Sequence, residues 1–266
     1  MAAEDNLEFN NNNNSGGSGM TSSSTPREPS DQTGPIDFSY AFQPIIDTVD
    51  RKIVSYEALI RGAHGEPASQ VLSRVLPGDM HRFDAIGRAT AIAQASLLDI
   101  RCDLNLNFLP QSLFVSTSSI ESTLEAAAKC NLPIKRIVIE VIEGEMIHEY
   151  ARFSQLINVY RGRGLKVAID DFGAGYSGLN LLAEFQPDQI KMDMALMRGI
   201  ESHGPKQAIV RAIASVCVEL GIDLIAEGVE TLAEFQWLKG EGIRLFQGYL
   251  FAKPGFGTLP PAKFPS

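Results

Sequence analysis

Eight short apolar runs, each ending near a polar or acidic residue, constrain this chain more than any other feature. They are Tyr40 to Ile46, Ile53 to Ile60, Leu104 to Phe108, Arg136 to Val141, Leu165 to Ile169, Gln189 to Met192, Leu224 to Ile225 and Ile243 to Phe246. Helix-period patterns lie between most of them. Ile86, Ala89, Ala93 and Leu97 share one face of a helix over Asp84 to Leu98. Phe153, Leu156, Ile157 and Tyr160 mark another helix, and Ile209, Ile213, Val216 and Leu220 a third. Ser118-x-x-Glu121 and Thr231-x-x-Glu234 read as capping boxes, the first opening a helix that runs to about Lys129. Strands alternating with helices over this length predict an α/β chain built as a TIM-like (β/α)8 barrel. Only a short turn near Val49-Asp50-Arg51 separates the first two runs. No crossover fits there, so the first strand is expected to be antiparallel to the second, a modification of the strict barrel.

The first 36 residues stand apart. Asn10 to Asn14 is an Asn run and Ser15 to Gly19 is Gly/Ser-rich, so residues 1–19 read as a tag and linker, and 20–36 as a flexible lead. Residues 37–266 then form one domain of a size that suits a single barrel. The net charge of −9 argues against binding a nucleic-acid polymer or a membrane surface. Three cysteines without C-x-x-C spacing fit a reducing cytosol, and thus a cytoplasmic protein.

Polar residues recur where barrel strands end, the face on which such folds build their sites. The second run ends in Glu57-Ala-Leu-Ile-Arg61, and the third carries Asn105 and Asn107. The fourth ends in Glu140-Val-Ile-Glu143 and the fifth in Asp170-Asp171. The sixth supplies Lys191 and Asp193, the seventh Glu227-Gly-Val-Glu230, and the eighth Gln247. A single acid of this kind is usually solvated or paired. Acids and amides at the same end of six or seven strands point instead to a shared site. The donors are oxygens, with His64, His81, His148 and His203 outside the set, which favours Mg2+ or Mn2+ over zinc. Five acids and an Asn suffice for two metals, an arrangement suited to hydrolysis at phosphorus.

Gly173-Ala-Gly-Tyr-Ser-Gly178 after the fifth run also fits the dinucleotide-binding pattern G-x-G-x-x-G, with Asp193 downstream. A pyrophosphate at that turn would meet Asp170 and Asp171, and like charges repel. Asp171-Phe-Gly resembles the kinase metal motif, yet the chain has no His-Arg-Asp loop and no Val-Ala-Ile-Lys strand.

The motifs taken together resemble the EAL family of cyclic-di-GMP phosphodiesterases over about residues 38–257. They include Phe42-Gln-Pro-Ile-Ile46, Glu57-Ala-Leu-Ile-Arg61, Leu106-Asn-Phe108, Glu140-x-x-Glu143, Asp170-Asp-Phe-Gly-Ala-Gly-Tyr-Ser177, Lys191-Met-Asp193, Ala226-Glu-Gly-Val-Glu-Thr231 and Gln247-Gly-Tyr-Leu-Phe-Ala-Lys-Pro254. The resemblance implies a modified TIM barrel with an antiparallel first strand, and hydrolysis of cyclic-di-GMP to linear pGpG by two-metal, in-line attack of water. It implies that Glu57, Asn107, Glu140 and Asp170 hold one metal and that Asp170, Asp171 and Glu227 hold the other. The metals would be Mg2+ or Mn2+, with inhibition by Ca2+. Lys191, Glu227 and Asp171 would act in catalysis; Gln43, Arg61, Asp193, Glu230 and Gln247 would bind the dinucleotide. Glu143 would anchor the glycine-rich loop, near the interface of an expected homodimer. Phe108-Leu109 after Asn107, Ile142 between the two glutamates, and a short Gly65 to Met80 segment depart from the commonest pattern. These variants are similar to EAL domains fused to BLUF blue-light sensors, some of which act by protein contact. A non-hydrolytic nucleotide sensor or contact module, with a sensor or regulatory partner protein, is therefore the alternative.

Overall fold

A computed structural model of the chain describes residues 36–112, 118–143, 150–175, 182–183 and 185–265. The expected tag and lead, except Ile36, fall outside these residues, as does the end of the glycine-rich stretch. Strand β1 (Phe38–Asp47) turns directly into β2 (Lys52–Gly62), and the two pair antiparallel along their whole length. Short helix α1 (Ala68–Leu72) and α2 (Met80–Leu97) lead to β3 (Asp103–Asn107). Then follow α3 (Ser118–Lys129), β4 (Ile137–Ile142), α4 (Tyr150–Arg161), β5 (Lys166–Phe172) and β6 (Gln189–Met192). The chain continues through α5 (Met194–Met197), α6 (Gly204–Leu220), β7 (Asp223–Ala226), α7 (Leu232–Gly240) and β8 (Leu245–Phe246). A two-residue β9 (Gly255–Phe256), which sequence periodicity cannot reveal, pairs with β1.

Strands β2 to β8 run parallel in chain order, and β1 closes the sheet by pairing antiparallel with both β8 and β2. The result is a closed eight-strand barrel with helices between strands, the mixed TIM-like fold that the run pattern predicts. Inward side chains alternate along each strand, so a polar layer can sit above an apolar one. Ile45, Ile225 and Leu245 pack together inside the barrel, while the larger core lies between sheet and helices. Phe153, Ile157 and Tyr160 are buried there, as the helical spacing of α4 requires. Thr231 and Glu234 form the capping box that starts α7.

Two helix faces correct the sequence reading. In α2 the buried residues are Gly87, Arg88, Ala91, Ile92 and Ala95, whereas Ile86 and Leu97 are exposed. Small residues let this helix approach the barrel closely, and Arg88 is buried with partners: its guanidinium bonds Asp84 and Thr123. Local bonding of a charge thus outweighed the apolar stripe. In α6 the buried set is Val210, Ile213 and Cys217, with Ile209 and Leu220 exposed. None of the helices among the described residues is long and apolar enough to cross a membrane.

Candidate metal centre

The polar ends of the strands meet at one mouth of the barrel. Glu57 on β2 lies opposite Gln43 on β1 in the antiparallel register. Glu140 lies on β4, Asp170 on β5 and Lys191 on β6; Glu227 immediately follows β7, and Gln247 follows β8. Asp170 and Asp171 are adjacent, and adjacent strand residues normally point to opposite faces. Here the β5–β6 register shifts between Ile169 and Phe172, and Asp171 takes a left-handed backbone with φ of 55°. An extra residue of this kind re-aims side chains. The carboxylates of Asp170, Asp171 and Glu227 come within 4.8 Å of one another as a result, and those of Glu57, Glu140 and Asp170 do the same.

Lys191 sits in the middle, only 1% exposed. Its ammonium lies 2.6 Å from Glu227 Oε1, 2.9 Å from Glu140 Oε1, 3.1 Å from Asp170 Oδ1 and 3.3 Å from Glu57 Oε2. Burial alone would lower the pKa of this amine, but Asp170, Glu140, Glu227 and Glu57 outweigh it and hold the ammonium charged well above the ordinary lysine range. The acids respond in the opposite sense. Burial pushes Glu140 up to about 8, against the pull of Lys191 and with the help of Glu57 and Asp170. Burial likewise raises Glu227 well above its usual value, and raises Asp171 with Asp170 and Asp193 adding to the effect.

The donor set fits divalent cations. Five carboxylates and one ammonium carry a formal charge of −4 when ionised, which two divalent ions would balance. Among the described residues, the buried oxygens Glu140 Oε2 and Gln247 Oε1 have no hydrogen-bond partner, and a bare buried acceptor is costly. All the protein donors are oxygens, the preference of Mg2+, Mn2+ and Ca2+.

The remaining residues singled out in the sequence are placed as follows. Gln247 Nε2 donates to Glu57 Oε2 at 2.7 Å and to Gln43 Oε1 at 3.3 Å, and Gln43 Nε2 donates to the Ala252 carbonyl at 3.1 Å. Next to Gln247, Gly248 (φ 156°) lies so close to Val229 that an added Cβ would stand 2.0 Å from the Val229 carbonyl oxygen. No side chain fits at this crossing of the β7 and β8 exits. Glu143 accepts from the backbone N–H of Gly173 at 2.7 Å and of Gly175 at 3.4 Å, directly below the glycine-rich stretch. Asn107 is exposed at the end of β3, level with Glu140 in the register. Arg61 is half-buried beside an apolar cavity of about 410 Å³ that Leu59, Phe83, Asp84, Asn107 and Phe108 also line. Asp193 caps α5 through Ala195 N, and Glu230 pairs with Arg198, so both have partners outside the carboxylate cluster. Sequence reasoning gave Asn105 no role. It is buried, and its Nδ2 donates to Glu140 Oε1 at 2.8 Å. The signal for it was the two-residue spacing from Asn107, which puts both on the inward side of β3.

The barrel with an antiparallel first strand, carrying an oxygen-rich acidic centre at the carboxyl ends of its strands, defines a class of metal-binding α/β domain. Residues 33–254 match the EAL domain, and the chain belongs to that family. It is 34% identical over 85% of its length to the Escherichia coli blue light- and temperature-regulated antirepressor BluF, covering 56% of that protein. It is 28% identical over 82% of its length to the Escherichia coli probable cyclic di-GMP phosphodiesterase PdeN, covering 43% of it. The chain thus spans about half the length of these relatives. Its fold is similar to that of a standalone EAL protein from Vibrio cholerae O395 bound to c-di-GMP. That likeness has a TM-score of 0.83 at 43% identity, over 87% of this chain and 98% of the other. It is also similar to Klebsiella pneumoniae BlrP1 in complex with manganese and cyclic-di-GMP, with a TM-score of 0.80 at 39% identity, over 88% and 58% of the two chains. BlrP1 has a calcium complex of the same kind.

Proposed function

We propose that the chain is a metal-dependent phosphodiesterase that hydrolyses cyclic-di-GMP to linear pGpG. The observation that carries this reading is the intact cluster of five carboxylates at the barrel mouth, four of them paired with Lys191. Glu57, Asn107, Glu140 and Asp170 would hold one divalent ion, and Asp170, Asp171 and Glu227 a second, with Asp170 common to both. Two such ions supply the positive charge that activates water and steadies the developing charge at phosphorus. Lys191, fixed by four carboxylates, orients the attacking water and offsets phosphate charge. Asp171 and Glu227 complete the charged wall on its other side. Gln43 and Gln247 present amides to the nucleotide, and Arg61 offers a planar fork suited to a phosphate. Asp193 and Glu230 lie further out, where they border the nucleotide rather than the reacting phosphorus. Glu143 ties the glycine-rich turn to β4 and so keeps Asp171 in its left-handed conformation. A homodimer that uses this turn is the expected assembly, and a monomer in sedimentation at assay concentration would count against it.

The test is turnover of cyclic-di-GMP with Mg2+ or Mn2+, with products resolved by chromatography. Linear product that disappears with EDTA, is suppressed by Ca2+ and is lost in a folded Asp170→Asn variant supports the reading. The likeness to BluF, an antirepressor, favours a second reading, in which the domain binds nucleotide or a partner protein without hydrolysis. Nucleotide binding without product in either metal would establish that one.

A further inference from the structure

The two oxygens of Glu140 have unequal surroundings. Oε1 accepts from Lys191 Nζ at 2.9 Å and from Asn105 Nδ2 at 2.8 Å. Oε2 is buried and has no hydrogen-bond partner among the described residues. Asn105 itself is completely buried on β3, level with Glu57 on β2 and Val138 on β4. An apolar residue would fill this position without the cost of desolvating an amide. The amide is retained with both ends engaged: Oδ1 is hydrogen-bonded to Ser55 Oγ, from the inward position on β2 below Glu57. With a cation bound, Glu140 would be ionised and could only accept, so the amide would have to turn its nitrogen to it. The hydroxyl of Ser55 then secures the oxygen end. Rotating the amide would set two acceptors against each other in a dry interior.

We propose that Asn105, held by Ser55, is a positioning residue for the metal centre. It pins Oε1 of Glu140 and thereby presents Oε2 to the cation, while touching neither the metal nor the nucleotide itself. The inference rests on the reading of the carboxylate ring as a metal centre. Partners that orient metal-ligating groups in this way typically account for about 10–100-fold in metal affinity.

The test is Mn2+ binding to the full chain by titration calorimetry, with the melting temperature of the metal-free protein measured beside it. Asn105→Leu, which keeps the volume and removes the donor, should weaken Mn2+ binding by about tenfold or more. The metal-free melting temperature should fall only modestly, through the Ser55 hydroxyl that loses its acceptor, so the loss of affinity is not general unfolding. Ser55→Ala should weaken binding in the same direction by a smaller factor. In a Glu140→Gln background, Asn105→Leu should add nothing further, because the carboxylate that it positions is gone. Unchanged Mn2+ affinity in Asn105→Leu, or an effect that adds fully to Glu140→Gln, overturns the proposal. If Asn105→Leu does not fold, unchanged affinity in Ser55→Ala overturns it equally. Absence of Mn2+ binding by the parent chain would instead remove the metal reading and this inference with it.

Discussion

Lys191 brings one positive charge into a space that it shares with four carboxylates, and its energetics follow from that imbalance. Removing one partner from a buried ionic group leaves uncompensated charge and costs about 3–5 kcal/mol. Lys191→Met should therefore destabilise the metal-free chain by roughly that amount near pH 8, where more of the carboxylates are ionised. Divalent ions would take over the compensation. The rise in melting temperature on adding Mn2+ should then be larger in the variant than in the parent. Thermal denaturation with EDTA and with Mn2+ reads both quantities, and an equal rise in the two proteins would refute the charge argument. At this scale the sequence pointed to the acids and to the amides Asn107, Gln43 and Gln247, but gave Asn105 no role. Glu57, Glu140, Asp170 and Glu227 announce themselves as acids within or at the end of apolar runs, where a charge needs a partner. Asn105 carries no charge that demands a partner, and only the tertiary arrangement shows that its amide meets Glu140.

The elements that close the barrel make a separate prediction. Strand β8 is only two residues long, and side-chain bonds reinforce its short backbone seam with β1. Asp47, at the end of β1, accepts from Arg244 and from the backbone N–H groups of Val49 and Asp50. Burial pushes the Asp47 carboxyl up, but these hydrogen bonds outweigh it and hold the group below its ordinary value of 3.8. A depressed acid contributes stability above its unfolded-state pKa and loses it as pH falls through the folded-state value. Asp47→Asn should cost about 1–2 kcal/mol at neutral pH. That gap should shrink once the pH drops below 3.8. Denaturant unfolding of parent and variant across this range is the measurement, and a gap independent of pH would exclude the assignment. The hairpin of β1 and β2 was legible because a short turn permits only an antiparallel pair. The buried face of α2 was not, because Gly87, Ala91 and Ala95 are chosen for close approach rather than hydrophobicity. The bulge that turns Asp171 inward was hidden as well, since register belongs to two strands and neither sequence specifies it alone.

For the whole molecule, the proposed function poses a charge problem: a chain of net charge −9 would have to accept a doubly anionic cyclic dinucleotide beside a cluster of acids. Protons and metals are alternative answers. Without metal, burial keeps Glu140 protonated up to about pH 8, and Glu227 and Asp171 are also raised, which lowers the negative charge of the mouth at neutral pH. Raising the pH through 8 ionises Glu140 and adds one negative charge close to the proposed nucleotide site. One extra like charge a few ångströms from a phosphate, in a partly buried setting, costs roughly 1–2 kcal/mol, or about tenfold in affinity. Cyclic-di-GMP binding in EDTA should therefore weaken by about tenfold between pH 6 and 9. In Ca2+ the metals displace those protons, and affinity should hold steady or rise over the same interval. Calorimetric titration under the four conditions separates the cases. An affinity in EDTA that does not fall with pH would mean that the nucleotide phosphates bind away from Glu140. The metal centre and the binding site would then be different parts of the barrel mouth.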